Sequence, residues 1–416
     1  MCQLPGYADL NYPHWVCHLR KTLYGLKQSG CRWYQQLVEI LVTKLGFKQC
    51  EVDQAVFIKQ EGMSLMIIVV HVDDCTITAT TLTLITAIKC ELSRFVEVTD
   101  LGELHWLLGI EVTQNREECT LALLQQTYID AILHHFNFNE LKPISMPMEP
   151  SMKLSTSQLL STTAEYAAMQ NILYQKAVGS LMYAVPRTWP DILYAVSQVS
   201  HFSSNHGQVH WDTIWQIYRH LLGMKNLQLI YGGGEKELAR YTDTDGSVME
   251  DHCAISGYAF LIDGGAISWS SKHQEIVSLS MTESEYVGVT HATKEALWLC
   301  MLTSSLFTPL LQPTTLFSDN QSAIALVKDH QYHTCTKHII DVHFHFIRWI
   351  IDDSKIQLIY CPTGDMVTNI FTKALPLLKV KHFTVELGLH TAWGGVSEWA
   401  SVRAANHVLT CYASVP

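Results

Sequence analysis

Five acids in this chain stand where residue type and spacing could do chemistry. Asp73 and Asp74 close an apolar run, Ser64 to Val72, and precede a Thr-rich return that ends at Thr80. Adjacent carboxylates at the tip of a buried strand repel each other and are costly to desolvate, so a divalent cation between them makes the arrangement tolerable. The plainer alternative is a hairpin turn, where Asp is a favoured residue. The other three acids lie far apart in sequence. Asp243 stands in the strand-like Ala239-Arg240-Tyr241-Thr242-Asp243, Glu285 near the start of a helical stretch, and Asp319 directly after Leu316-Phe317-Ser318. A strand-borne Asp, a helix-borne Glu and a second strand-end Asp are what two-metal phosphoryl transfer requires, since carboxylates from separate elements must converge on ions about 4 Å apart. For Glu285 a structural role competes, because Thr282-x-x-Glu285 is a capping-box pattern.

The elements that must carry these acids are legible in outline. Trp33, Leu37, Ile40, Leu41 and Leu45 recur at helical spacing across Ser29 to Leu45, with Gly46 as a stop signal. Helical patterns follow near Thr81 to Phe95, Tyr128 to Phe136, Val209 to Leu222 and Ser280 to Leu299. Pro143, Pro147 and Pro150 break regular structure between 143 and 150, each removing a donor and biasing its predecessor away from helix, and so predict a linker. Gly232-Gly233-Gly234 lacks the Lys-Ser/Thr of a phosphate loop and reads as a flexible join.

Composition limits the function classes. The chain has 416 residues, 48% hydrophobic and 10% aromatic, enough to bury the cores of two or three domains. A formal net charge of -11 is the wrong sign for a bulk nucleic-acid binder, so local patches would have to supply phosphate contacts. Lys21, Lys27 and Arg32 form one modest basic group, solvated surface or phosphate contact. The longest apolar runs, such as Leu65 to Val70, fall far short of the roughly 20 residues a membrane span needs. The start, Met1 to Gly6, has no signal-peptide pattern. Twelve cysteines occur singly, without a C-x-x-C pair, which fits a reducing, intracellular compartment, cytoplasmic or nuclear, rather than secretion. His333, His338, His343 and His345 cluster around Cys335, but their spacing is not that of a closed zinc site.

Three ordered segments carry a resemblance. Leu23-Tyr24-Gly25-Leu26-Lys27-Gln28, then His71-Val72-Asp73-Asp74, then Asp100-Leu101-Gly102-Glu103-Leu104 through Leu108-Gly109 resemble the reverse transcriptase of copia-type LTR retrotransposon Pol polyproteins. The later segments around Asp243, Glu285 and Asp319, with Thr336-Lys337-His338 and Phe371-Thr372-Lys373-Ala374-Leu375, resemble the RNase H region of the same polyproteins. The resemblance runs from about Leu4 to Leu389 and leaves Trp393 to Pro416 unmatched.

What it implies is an α+β chain: a partial reverse transcriptase palm and start of a thumb at 1–146, a thumb or connection at 147–236, an RNase H-like α/β domain at 237–389 and an unmatched tail at 390–416. It implies two-metal sites for Mg2+ or Mn2+, with Asp73 and Asp74 as polymerase ligands and Asp243, Glu285 and Asp319 as nuclease ligands. Lys27, Gln28, His71 and Gly109 would face nucleotide or nucleic acid. The implied partners are an RNA template, an RNA/DNA hybrid and deoxynucleotides, with no membrane and with a complementing Pol fragment left open.

Departures from the family pattern temper the implied activity. Asn369 stands where the family carries a fourth nuclease acid and is implied as a catalytic residue whose amide oxygen can still ligate or orient a water but brings no charge; His71 replaces an aromatic, and one extra residue falls between His338 and Phe346. The family's first palm aspartate would precede Leu4, so the expectation is an N-terminally truncated, polymerase-inactive chain. The rival readings are a surviving RNase H alone and a non-enzymatic remnant or co-opted nucleic-acid-binding protein.

Overall fold

Strand-rich sequence around the Asp pair and helix-rich sequence after it sort into two compact units in the computed structural model, Met1–Leu104 with Ala405–Pro416, and His105–Ala404. The structure describes residues 2–3, 5–232, 238–246, 253–278, 280–307, 313–328, 340–391 and 409–414, with backbone alone at 340–345 and 409–414.

In the first unit, helix α1 (Ser29–Val38) passes into a π-helical turn (Glu39–Lys44), and Gly46 at φ 73° ends it. The expected single helix is therefore present with its last turn widened, which turns Ile40, Leu41 and Leu45 inward. Strands β1 (Lys48–Gln49), β2 (Val56–Glu61), β3 (Ser64–His71) and β4 (Asp74–Ala79) follow as successive antiparallel neighbours. In β4 the two-residue period is plain: Cys75, Ile77 and Ala79 are buried while Thr76 and Thr78 face outward. Helix α2 (Leu82–Leu92) starts at Thr81, whose hydroxyl accepts the Leu84 N–H, and buries Ile85, Ile88 and Leu92. It leads to β5 (Thr99–Glu103). Leu37, Leu41, Phe57, Ile68, Ile77 and Leu92 make one core between helices and sheet. The tail that matches no motif returns here: β16 (Leu409–Ser414) lies antiparallel between β4 and β5.

The second unit opens with β6 (Trp106–Leu107), β7 (Ile110–Asn115) and β8 (Thr120–Leu124), then α3 (Gln126–His135). The proline-rich stretch forms no helix or strand, as expected, yet it is no free tether. Ile144 N–H donates to the Arg219 carbonyl at 3.3 Å, Gln216 Nε2 donates to the Met146 carbonyl at 3.4 Å, and Met148 is buried, so the segment is laid along a helix. Helix α4 (Thr163–Met169) precedes α5 (Tyr174–Thr188), α6 (Leu193–Ser200) and α7 (Gln208–Met224), which pack with α3 around Tyr174, Leu181, Trp189 and Tyr218. Strand β9 (Leu227–Tyr231) then joins β8. Gly232, at φ 113°, fits there because a Cβ would lie 2.5 Å from the Cys119 carbonyl oxygen; Gly233 and Gly234 lie outside the described residues.

A further sheet follows in the same unit. Strands β10 (Ala239–Asp245), β11 (Ile255–Ile262) and β12 (Gly265–His273) run antiparallel, while β13 (Thr314–Ser318) and β14 (Ile356–Tyr360) extend β10's other edge in parallel. Their spatial order is β12-β11-β10-β13-β14. Helices α8 (Met281–Leu306), α9 (Gln321–Lys328) and α10 (Ile340–Asp352) cover one face over Phe260, Tyr286, Leu316 and Ile347. The short α11 (Asn369–Thr372) and α12 (Leu377–Glu386) bury Phe371 and Phe383 against Ala259 and Leu261. Strand β15 (Leu389–Thr391) then pairs with β9, so the last described strand of this unit belongs to the β6–β9 sheet. Among the described residues no helix is long and apolar enough to cross a membrane.

Candidate active site

Two parallel strands bring two aspartates to one place. Tyr241 of β10 is paired with Phe317 of β13, so Asp243 and Asp319, each two residues further on, share a register and a face. The C-terminal ends of neighbouring parallel strands are where α/β sheets commonly present their sites. The third acid comes from α8. Ser280, not Thr282, caps that helix: its hydroxyl accepts the Glu283 N–H at 3.2 Å, so the expected Thr282-x-x-Glu285 box does not form and Glu285 sits a full turn inside. Gly288 lets the helix close on the sheet, since a Cβ there would fall 2.2 Å from Thr244 Oγ1. Ligating atoms of Asp243, Glu285 and Asp319 all lie within 4.8 Å of one another.

The electrostatics of that cluster are unfavourable without a cation. Asp243 is 2% exposed and Glu285 3%. Burial, then the charges of Asp243 and Asp319, pushes the Glu285 carboxyl up to about 9, and its Oε2 is buried with no hydrogen-bond partner. Burial also raises Asp243, against the opposing pull of Lys373 and of the Thr372 hydroxyl. Thr372 Oγ1 donates to Asp243 Oδ2 at 2.5 Å and Lys373 Nζ stands 3.8 Å from the same oxygen. Thr363 Oγ1 donates to Asp319 Oδ2 at 2.8 Å. The acids open onto a cleft of about 360 Å³, also lined by Tyr360 and Lys373. An orphaned buried carboxylate oxygen amid three convergent acids is a donor set suited to a hard divalent cation.

Asn369 does not line this cleft. It is buried on α11, and its Nδ2 donates to the carbonyls of Thr363 and Met366. Thr363, Thr372 and Lys373 carried no role in the sequence argument. The Phe371-Thr372-Lys373 segment was visible as a pattern, but only the fold turns its hydroxyl and ammonium toward Asp243.

In the first unit the Asp pair sits on a two-residue turn. His71 pairs with Asp74 across the hairpin, leaving Val72 and Asp73 as the loop. Val72 is held at φ 58°, an uncommon conformation for a β-branched residue, and its carbonyl accepts the Trp33 indole N–H at 2.9 Å. Both aspartates are partly exposed, and burial, then the charges of Asp74 and Asp73, pushes the neighbouring Cys75 thiol up to about 12. Among the described residues, no third Asp, Glu, His or Cys joins them within ligating distance. Lys27, Gln28 and His71 are exposed in this unit. Gly109 belongs to the second unit, where Leu108 and Gly109, at φ 51° and 77°, form the tight turn between β6 and β7 and the Tyr183 hydroxyl donates to the Leu108 carbonyl. His333, Cys335 and His338 lie outside the described residues, as do the side chains of His343 and His345.

The family model described as reverse transcriptase (RNA-dependent DNA polymerase) matches residues 1–150. The chain is 36% identical over 394 residues to the retrovirus-related Pol polyprotein from transposon TNT 1-94 of Nicotiana tabacum, covering 94% of this chain and 29% of that protein. It is 35% identical over 393 residues to the retrovirus-related Pol polyprotein from transposon RE1 of Arabidopsis thaliana, covering 94% of this chain and 26% of that protein. It thus spans less than a third of the length of these two relatives. Among solved structures, LC11-RNase H1 in complex with RNA/DNA hybrid aligns to 31% of this chain and 88% of its own, with 14% identity and a TM-score of 0.24.

Proposed function

Since the chain belongs to the Pol polyproteins of copia-type retrotransposons, with the reverse transcriptase family model matching residues 1–150, we propose that its second unit is a hybrid-directed ribonuclease. One observation carries this reading. Asp243, Glu285 and Asp319 come from three separate elements yet bring ligating atoms within 4.8 Å of one another in a cleft. In this proposal those three residues hold Mg2+ or Mn2+, which supplies a polarised phosphate oxygen and an activated water for attack on the RNA strand. Asp243 and Asp319 each keep one oxygen fixed by a threonine hydroxyl. Lys373 offsets the mutual repulsion of the acids and presents a cation to an incoming phosphate.

The test uses the full chain, a labelled RNA strand in an RNA/DNA hybrid, and Mg2+ or Mn2+. Metal-dependent cleavage of the RNA strand, lost in Asp243→Asn and absent on single-stranded RNA, is the expected result. A folded chain that leaves the hybrid intact at every metal concentration overturns the proposal.

For the first unit the proposal is a reverse transcriptase segment without polymerase activity of its own. Asp73 and Asp74 have no third ligating partner among the described residues, and a two-metal polymerase site needs more carboxylate charge than one pair. Lys27, Gln28 and His71 are assigned to template and nucleotide contacts, and Gly109, which belongs to the second unit, to a nucleic-acid contact there. The functional division proposed is reverse transcriptase palm and start of thumb at 1–146, thumb or connection at 147–236, an RNase H-like domain at 237–389 and an unmatched tail at 390–416.

A further inference from the structure

The family pattern puts a fourth acid where this chain has Asn369, and the simplest view is a weakened copy of that acid. The hydrogen bonds around it say something different. Asn369 is 2% exposed, and its Nδ2 donates to two carbonyl oxygens, Thr363 at 2.8 Å and Met366 at 2.9 Å. Two carbonyl acceptors settle the orientation of the amide, because only its NH2 end can face them. Asn369 thereby ties α11 back to the loop that follows β14.

Both ends of the tied segment reach the acids. Thr363, in the loop, donates its hydroxyl to Asp319 Oδ2 at 2.8 Å. Thr372, at the end of α11, donates to Asp243 Oδ2 at 2.5 Å and also lies 3.4 Å from the Asn369 carbonyl. Residues 363–372 thus offer one hydroxyl to each aspartate, and the Asn369 amide is the clasp that sets the distance between them.

We propose that Asn369 is a positioning residue, a clasp that aims Thr363 and Thr372 at Asp319 and Asp243, and that it is not a fourth ligand. The inference rests on the nuclease reading for what the aspartates hold, but the clasp itself does not. A hydroxyl bound to one oxygen of a carboxylate fixes which oxygen remains for the cleft, and such outer partners typically tune metal affinity by roughly 10- to 100-fold. An aspartate at 369 would set carboxylate oxygens against two carbonyl oxygens in a buried place, acceptor facing acceptor.

The experiment uses the full chain with Asn369→Asp, Thr363→Val, Thr372→Val and the two Thr→Ser variants. Metal-free melting, Mg2+ affinity by calorimetry, and kcat and KM on an RNA/DNA hybrid are measured for each. Asn369→Asp is expected to melt several degrees below the parent without metal and to bind Mg2+ no more tightly. Thr363→Val and Thr372→Val are expected to weaken Mg2+ binding about 10-fold, lowering kcat while leaving KM for the hybrid in place, with serine restoring both. Asn369→Asp that melts like the parent and binds Mg2+ more tightly would return position 369 to the ligands and overturn the clasp. Threonine-to-valine variants with parental Mg2+ affinity would overturn it too, and they remain informative if Asn369→Asp does not fold, because Thr363 is exposed. A parent that binds no Mg2+ and cleaves no hybrid defeats the nuclease reading instead. The clasp is then decided by the metal-free melting of Asn369→Asp alone.

Discussion

At the hairpin tip of the first unit, Asp73 and Asp74 are neighbours on a two-residue turn, partly exposed. In the cleft of the second, Asp243, Glu285 and Asp319 arrive from a strand, a helix and a strand end, the first two almost fully buried. Sequence adjacency makes the first pair easy to see and chemically incomplete, because consecutive residues near a strand end diverge rather than close a cage. Water relieves much of their repulsion. The second group is hard to see as a set, yet register and helix packing close it, and its burial makes the charge expensive to leave without a cation. A site that destabilises the empty fold implicates a ligand more strongly than one that water can satisfy.

The comparison breaks most readily at the chemistry. Asp243→Asn and Asp319→Asn are each expected to lower hybrid-dependent RNA cleavage by roughly a thousandfold, on the order of 4 kcal/mol in the transition state. Cleavage at the parental rate in either variant, measured on end-labelled RNA, would place the chemistry elsewhere. For the hairpin site the expectation is no primer extension on an RNA template with Mg2+ or Mn2+. Template-directed incorporation that Asp73→Asn abolishes would show that the pair is complete after all.

Phe371 is fully buried beneath the sheet and adjoins Thr372, so Phe371→Ala should cost about 3–5 kcal/mol and displace the hydroxyl that holds Asp243. Denaturant unfolding reads the first effect and Mg2+ titration the second. An unchanged Mg2+ affinity in a destabilised variant would separate packing from positioning.

A pH profile sharpens the contrast further. The Glu285 carboxyl is raised to about 9 in the folded chain against an ordinary value near 4.5, so the folded state holds a proton that the unfolded state has lost. Stability from this group is fully present below about 4.5 and falls as pH rises toward 9. Metal-free protein should therefore melt lower at pH 8 than at pH 5.5, and Glu285→Gln should flatten the slope and raise the melting temperature at pH 8 by several degrees. A slope that the substitution leaves intact would remove Glu285 as its source. The smallest effect is expected at the other site: Val72→Gly should relieve the φ 58° turn and stabilise the first unit by about 1 kcal/mol, net of glycine's entropy. Destabilisation in chemical unfolding would mean that Val72's contacts outweigh its strain.

Local pattern made several elements readable. The Ser64–Thr80 hairpin, α2 from Thr81, α7, and the strand-acid-helix order around Asp319 all follow from periodicity and turn chemistry within short windows. Glu285 was ambiguous because Thr282-x-x-Glu285 is a capping-box pattern, and only the backbone start of α8, capped by Ser280, sets that structural role aside. The proline segment read as a separator because prolines forbid helix and strand, but they do not forbid lying against α7. Residues 409–414 showed no motif because a strand inserted between β4 and β5 by backbone pairing needs only compatible backbone.

By itself the sequence determined which residues carry charge, roughly where strands and helices lie, and that two groups of acids stand among them; the resemblance it carries implied an α+β chain. Those properties depend on neighbours within a turn or two. Tertiary structure alone decided that Asp243 and Asp319 share a register, that Gly288 brings Glu285 down to them, and that Thr363, Thr372 and Asn369 face the acids or each other as they do. These relations join residues up to 129 positions apart, and they exist only once β13, α8 and α11 have packed against β10.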